Sequence, residues 1–128
     1  MKRFALDELK KWNKNPRRKP LLLMGARQVG KTWLMKEFGK LDFRHVAYVR
    51  FDNSDRAMRS FSLDFDIPRL LESISIEGRC PVIPGETLII LDEIQDCPAA
   101  LTSLKYFCEE AREYAIVAAG SLLGVADH

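Results

Sequence analysis

The sequence predicts an α/β fold, a three-layer sandwich built on a mostly parallel sheet. Three observations carry that prediction. Four short strand-like runs, 21–24, 46–51, 87–91 and 114–119, mostly apolar, are separated by segments that include helical periodicity. A glycine-bearing loop follows the first run directly and opens a helix. The third run ends in paired carboxylates, Asp92-Glu93, as expected at the carboxyl edge of a parallel sheet, where such proteins bind ligands. Strands joined through helices run parallel with right-handed crossovers.

In chain order, a helix is expected over about 4–14, with Phe4, Leu6, Leu9 and Trp12 as an apolar stripe. A basic loop, Asn15-Pro16-Arg17-Arg18-Lys19, leads to Pro20, a tolerated residue at the start of a strand. Leu21-Leu22-Leu23-Met24 is a continuous apolar run, the pattern of a strand buried on both faces. Leu34, Met35 and Phe38 mark a helix over about 32–39, with Gly39 as its stop signal. Val46 to Phe51 reads as the second strand. Residues 54–65 read as irregular, because Phe61, Leu63 and Phe65 hold to no single period. Asp66 can cap a helix through about Ile76, with Leu70, Leu71 and Ile74 inward and Gly78 at its end. Pro84-Gly85 is a turn. The third strand spans 87–91. A helix over about 99–112 carries Leu101, Leu104, Phe107, Cys108 and Ala111 on one face, and the fourth strand spans 114–119.

The loop reads Gly25-Ala26-Arg27-Gln28-Val29-Gly30-Lys31-Thr32 and fits G-x-x-x-x-G-K-[ST] at every fixed position. Its glycines let the backbone curl close to a phosphate, its N–H groups form an anion nest, and the next helix adds its positive end. Lys31 can reach the β- and γ-phosphates, and the Thr32 hydroxyl can ligate Mg²⁺. Gly25, Ala26, Arg27, Gln28, Val29, Gly30, Lys31 and Thr32, with Trp33 beside them, are the candidate nucleotide-binding residues. Asp92 is the second candidate metal residue, acting through the water shell that Mg²⁺ keeps. Glu93 is placed to orient and deprotonate a water for attack on the γ-phosphate. Gly120-Ser121 follows the fourth strand, and Ser121 could touch the γ-phosphate or the attacking water. Lys31, Glu93 and Ser121 are thus the candidate catalytic residues.

The stretches GARQVGKTWLMKEFGK, TLIILDEIQ and YAIVAAGSLLGV resemble the core of AAA-type P-loop ATPases, in particular a bacterial and archaeal family with GARQVGKT and DEIQ motifs. Longer members of that family carry a C-terminal domain of unknown function. The resemblance runs from Arg18 to Val125 and implies a P-loop NTPase sandwich, ATP as the nucleotide with Mg²⁺, and a sensor near Ser121. It further implies strand order 1-4-3-2 with the family's fifth strand missing, so that residues 1–128 form a single, incomplete ATPase core. Arginine finger, lid and C-terminal domain have no counterpart in the 128 residues. ATP hydrolysis is therefore the expected activity of the complete form. The alternative is a nucleotide-dependent binding switch with little turnover. A small-molecule kinase is disfavoured, because Glu93 would activate a competing water.

Composition sets the outer bounds. Hydrophobic residues make up 47% and charged residues 30%, ordinary for a soluble globular chain. Apolar runs of about five residues fall far short of the roughly 20 that span a bilayer, and Met1-Lys2-Arg3-Phe4 is followed by no signal-peptide core. Cys80, Cys97 and Cys108 are odd in number and lack C-x-x-C spacing, as for reduced thiols in the cytoplasm. His45 and His128 have no metal-site spacing. Residues 1–20 hold eight Lys/Arg against two Asp/Glu, +6, which leaves −4 for the rest of a chain whose net charge is +2. A basic segment can meet nucleic acid, but without the aromatic interleaving of a recognised module the solvated face of an amphipathic helix is the better reading.

Strand one has no polar alternation to suit a solvated edge, and an uncovered apolar edge is a template for association. The isolated chain is therefore expected to be marginally stable and to dimerise or aggregate through that edge, unless the N-terminal helix covers it. Sedimentation and thermal melting check this. A monodisperse monomer with a reversible melt above about 65 °C, beyond the usual mesophile range, would contradict it.

Overall fold

A computed structural model describes residues 2–25 and 30–121. Four parallel strands form one sheet in the order β1-β4-β3-β2: β1 is Leu21–Gly25, β2 His45–Arg50, β3 Thr87–Asp92 and β4 Ala115–Ser121. The order matches the expectation. Every residue of β3 and β4 is buried, the burial that non-alternating apolar runs call for in central parallel strands.

Helices cover both faces. Side chains of period two sort the core into halves. Leu88, Ile90, Val117 and Ala119 pack with α1 (Lys2–Lys14) and α2 (Lys31–Asp42). Ile89, Leu91, Ile116 and Ala118 face α3 (Asp55–Leu63), α4 (Ile67–Gly78) and α5 (Pro98–Glu110). α1 is tied to α2 by Lys10 Nζ on Asp42 Oδ1 at 2.7 Å and by the edge-on packing of Trp12 on Phe38. The basic loop is anchored through Arg18, which donates to the Glu113 carbonyl at 2.7 Å and lies over the Trp12 ring.

Several details differ from the sequence reading. Residues 54–65 are not irregular but contain α3. Ser54 caps it, its Oγ accepting from Ala57 N at 3.0 Å, and Ala57 and Phe61 form the buried face. Leu63 points outward at 72% exposure and Phe65 lies beyond the helix, stacked on Tyr106; including them hid the period. Gly39 does not stop α2, which runs on to Asp42. It is a close-approach position: a Cβ there would lie 2.5 Å from Val46 Cγ2 and 3.1 Å from Leu88 Cδ2. Phe4 is exposed, so the stripe of α1 is Leu6, Leu9 and Trp12. Leu101 is also outward, because α5 seats small residues, Ala100 and Ser103, against the core. Nor is β1 buried on both faces. It is an edge of the described sheet, with Leu21 and Leu23 packed under α1 and α2 while Leu22 and Met24 stay more than a third exposed.

The α3 correction is directly testable. Phe61→Ala empties a buried site packed edge-on against Phe51 and is expected to cost about 3–5 kcal/mol. Leu63→Ala is expected to stay within about 0.5 kcal/mol. Denaturant unfolding of the two variants provides the comparison.

Candidate functional site

Parallel strands all end on one side of the sheet, so Gly25, Ser121 and Asp92 converge at its carboxyl edge beside the start of α2. Gly25 pairs with Ser121 directly. Of the predicted loop, Gly25 and Gly30 to Trp33 are described; Ala26, Arg27, Gln28 and Val29 lie outside the described residues. Gly30 is the N-cap of α2 at φ 111°, a left-handed conformation that a side chain would strain. Lys31 and Thr32 open the helix. The first helical N–H groups have no intrahelical partner, and the helix dipole adds positive potential there. Trp33 lies in the same first turn, 45% exposed.

One carboxylate organises the site. Asp92, only 4% exposed, receives the Thr32 hydroxyl on Oδ2 at 2.7 Å and the Tyr48 hydroxyl on the same oxygen at 2.7 Å. Its Oδ1 accepts from Glu93 N at 2.9 Å. Burial pushes the Tyr48 hydroxyl pKa well above its ordinary value, and the bond to Asp92 and the Asp92 charge push it further. Tyr48 thus stays a neutral donor. The Lys36 ammonium sits over its ring, 4.1 Å from the centroid.

Glu93 leaves the strand in the left-handed region, φ 52° and ψ 45°, and caps a short 3₁₀ turn over Ile94–Asp96. A non-glycine residue held there is strained by an amount on the order of 1 kcal/mol. The turn brings Gln95 back, so that its Nε2 donates to Glu93 Oε1 at 3.0 Å while its Oε1 accepts from Ser121 N at 3.0 Å. Lys31 Nζ donates to the Gly120 carbonyl at 2.6 Å. The predicted residues Gly25, Gly30, Lys31, Thr32, Asp92, Glu93 and Ser121 are therefore one cluster. Ser121 enters it through its backbone N–H.

Tyr48, Gln95 and Gly120 were missed by the sequence reading. Tyr48 had a signal, a hydroxyl between the apolar residues Ala47 and Val49 of a strand. Gln95 had one too, in the Asp-Glu-Ile-Gln run. Gly120 had none, because what it must admit comes from residues distant in sequence.

Thr32 and Asp92 offer hard oxygen donors within hydrogen-bond distance of each other. That donor chemistry fits Mg²⁺, which takes one or two protein oxygens and completes its shell with water and phosphate.

A glycine-lysine-threonine turn at a helix start, facing a buried aspartate at a strand end, defines a nucleotide-binding α/β domain of the phosphate-loop class. The family model described as AAA domain matches residues 17–128, and the chain belongs to that family. Similar solved structures include AMPPCP-bound DnaA from Aquifex aeolicus, 16% identical with a TM-score of 0.52, over 93% of this chain and 38% of that one. Another is C. elegans PCH-2, 15% identical with a TM-score of 0.49, over 96% of this chain and 36% of that one. The chain thus spans well under half the length of either. No match was found among curated protein sequences. Among the described residues, no helix is long and apolar enough to cross a membrane.

Proposed function

We propose that this domain binds ATP with Mg²⁺ and, in its complete form, hydrolyses it to ADP and phosphate. The observation that supports this best is the convergence of Lys31, Thr32, Asp92 and Glu93 at one sheet edge. Phosphoryl transfer asks a protein mainly for positioning and charge stabilisation. Lys31, at the start of α2, would move from the Gly120 carbonyl onto the β- and γ-phosphates, while the loop amides cradle them. Thr32 and Asp92 would hold Mg²⁺, which when bound neutralises developing phosphate charge. Tyr48 keeps Asp92 in place by sharing its Oδ2 with Thr32. Glu93, next to the metal-holding carboxylate, would orient the attacking water and accept its proton. Ser121 would sense the γ-phosphate from the end of β4. The 128 residues form a single ATPase core in this reading, with a C-terminal domain or a second copy of the chain as partners.

Lys31→Ala is expected to lose most ATP affinity, at least about 10-fold, with little change in melting temperature, because the ammonium faces ligand and not core. Calorimetric titration checks it; equal affinity would overturn the phosphate-loop assignment. Glu93→Gln is expected to keep Mg-ATP affinity and to lower single-turnover hydrolysis by about 100-fold or more, the range for a lost general base. Turnover at the wild-type rate would remove Glu93 from that role. Binding without turnover in the wild type would favour a nucleotide-dependent switch.

A further inference from the structure

An ionised carboxylate offers about four acceptor positions, two on each oxygen, and can only accept. Three of those on Asp92 are taken. Oδ2 accepts the Thr32 and Tyr48 hydroxyls, each at 2.7 Å, and Oδ1 accepts Glu93 N at 2.9 Å. Oδ2 is therefore full, and the open position is on Oδ1. The Thr32 hydroxyl directs its one proton to Asp92, which leaves its oxygen lone pairs for another partner. All three donors are neutral. Arg50 stands directly across from Asp92 in the β2–β3 register, yet its guanidinium turns to Asp52, Nε to Oδ1 at 2.5 Å and Nη2 to Oδ2 at 3.0 Å. Among the described residues the Asp92 charge is thus met by hydrogen bonds and not by an ion pair.

Tyr48 is built into this arrangement from a different strand. It pairs with Ile90, two residues before Asp92. Side chains alternate along a strand, so the ring lies on the Asp92 face of the sheet and its hydroxyl reaches the carboxylate along the diagonal. The Lys36 ammonium, 4.1 Å from the ring centroid, covers the ring from α2.

We infer that Tyr48 selects the cation: by filling the second acceptor position of Oδ2, it keeps Asp92 from ligating a metal directly and restricts it to metal-bound water. The inference rests on the proposed nucleotide reading and deepens it. For a cation on the Thr32 oxygen, Oδ2 is the carboxylate oxygen beside it, 2.7 Å from Thr32 Oγ1. Direct ligation by Oδ2 requires a hydroxyl to be displaced. Mg²⁺ suits such a site, because it gives up water reluctantly and is satisfied by one or two protein carboxylates or fewer. Ca²⁺ takes about 6–8 oxygens and favours direct carboxylates, so a blocked Oδ2 disfavours it more. The preference for Mg²⁺ then comes from a side chain on β2 that does not itself ligate the metal.

Tyr48→Phe keeps the ring and removes the hydroxyl alone. The variant is expected to fold, with a melting temperature lower by a few degrees at most. The non-hydrolysable analogue AMPPCP is titrated by calorimetry into the whole chain with excess Mg²⁺ and, separately, with excess Ca²⁺. The wild type is expected to bind it more tightly with Mg²⁺. In Tyr48→Phe the ratio of the two Kd values is expected to narrow by about threefold or more, the order of one hydrogen bond's contribution, chiefly through tighter binding with Ca²⁺. A wild type that does not discriminate, a smaller change, or both affinities falling at a constant ratio overturns the inference, because a merely structural role for Tyr48 would weaken both alike. A wild type that binds AMPPCP with neither cation refutes the nucleotide reading. The role of Tyr48 is then decided with Ca²⁺ alone, followed by NMR through the backbone amide of Glu93, which donates to Asp92 Oδ1. A saturable shift at millimolar Ca²⁺, tighter in Tyr48→Phe than in the wild type by about threefold or more, supports it. Titrations closer than that, or no shift in either protein, overturn it.

Discussion

The buried carboxylate of Asp92 is the constraint around which the rest of this structure is arranged. A charge removed from water is costly unless it is hydrogen-bonded, and here three donors from three parts of the chain converge on it. Thr32 comes from the start of α2, Tyr48 from β2 and the Glu93 N–H from the turn beyond β3. Each donor fixes one piece of the site. The Thr32 bond seats the helix start against β3, so that the phosphate-loop end of α2 faces the strand ends. The Tyr48 bond braces β2 against its neighbour at the same edge. The Glu93 bond holds the chain reversal that turns Glu93 and Gln95 toward β4. A protein designed only for stability would fill this position with an apolar residue. A carboxylate with this arrangement of partners accords with the proposed role of holding a cation.

How much of this the sequence discloses depends on the distance over which each determinant acts. The phosphate loop, the Asp-Glu strand end and the central strands are written locally, in spacing and in uninterrupted apolar runs. The strand order, by contrast, came from resemblance and not from periodicity, because nothing local says which strand neighbours which. α3 escaped because only Ala57 and Phe61, one turn apart, are fully buried on it, while Leu63 and Phe65 add apolar positions that do not belong to its packed face. Gly39 was misread for a related reason. Glycine ends helices through its backbone freedom, but it also serves where another strand approaches too closely for a Cβ, and only Val46 and Leu88 in place tell the two apart. The partners of Tyr48 and Gln95 lie 44 and 26 residues away in sequence, beyond any local pattern.

The first strand shows the converse, a local pattern whose context reverses its meaning. Its run of leucines is what a doubly covered strand would show, yet only Leu21 and Leu23 are packed. Leu22 and Met24 present apolar surface at the margin of the face covered by α3, α4 and α5, and beyond them lies the backbone edge of the described sheet. Between α1 and β1 a cleft of about 340 Å³, lined by Leu9, Trp12, Leu21, Leu23 and Leu34 with Ala5 and Glu8 at α1, continues the largely apolar character around that edge. Met24 also links this edge to the site, since its sulfur occupies the space that a Cβ on Gly120 would need. Whatever alters the packing of β1 therefore bears on Gly120, the residue through which Lys31 meets Gln95.

Strain and restraint are balanced at the point where chemistry is proposed. Glu93 and Arg79 are the non-glycine residues with positive φ among those described. Arg79 closes α4, an ordinary use of the left-handed region at a helix end. Glu93 closes nothing of comparable size; the turn after it is only three residues long. Its conformation is held by the Asp92 carboxylate on its N–H and by Gln95 on its side chain. Both restraints are polar, and both belong to groups that a nucleotide with its cation would engage or release. A residue fixed by packing would ignore a ligand. One fixed by hydrogen bonds to ligand-facing groups responds to it, and in the proposed reading Glu93 is of that second kind.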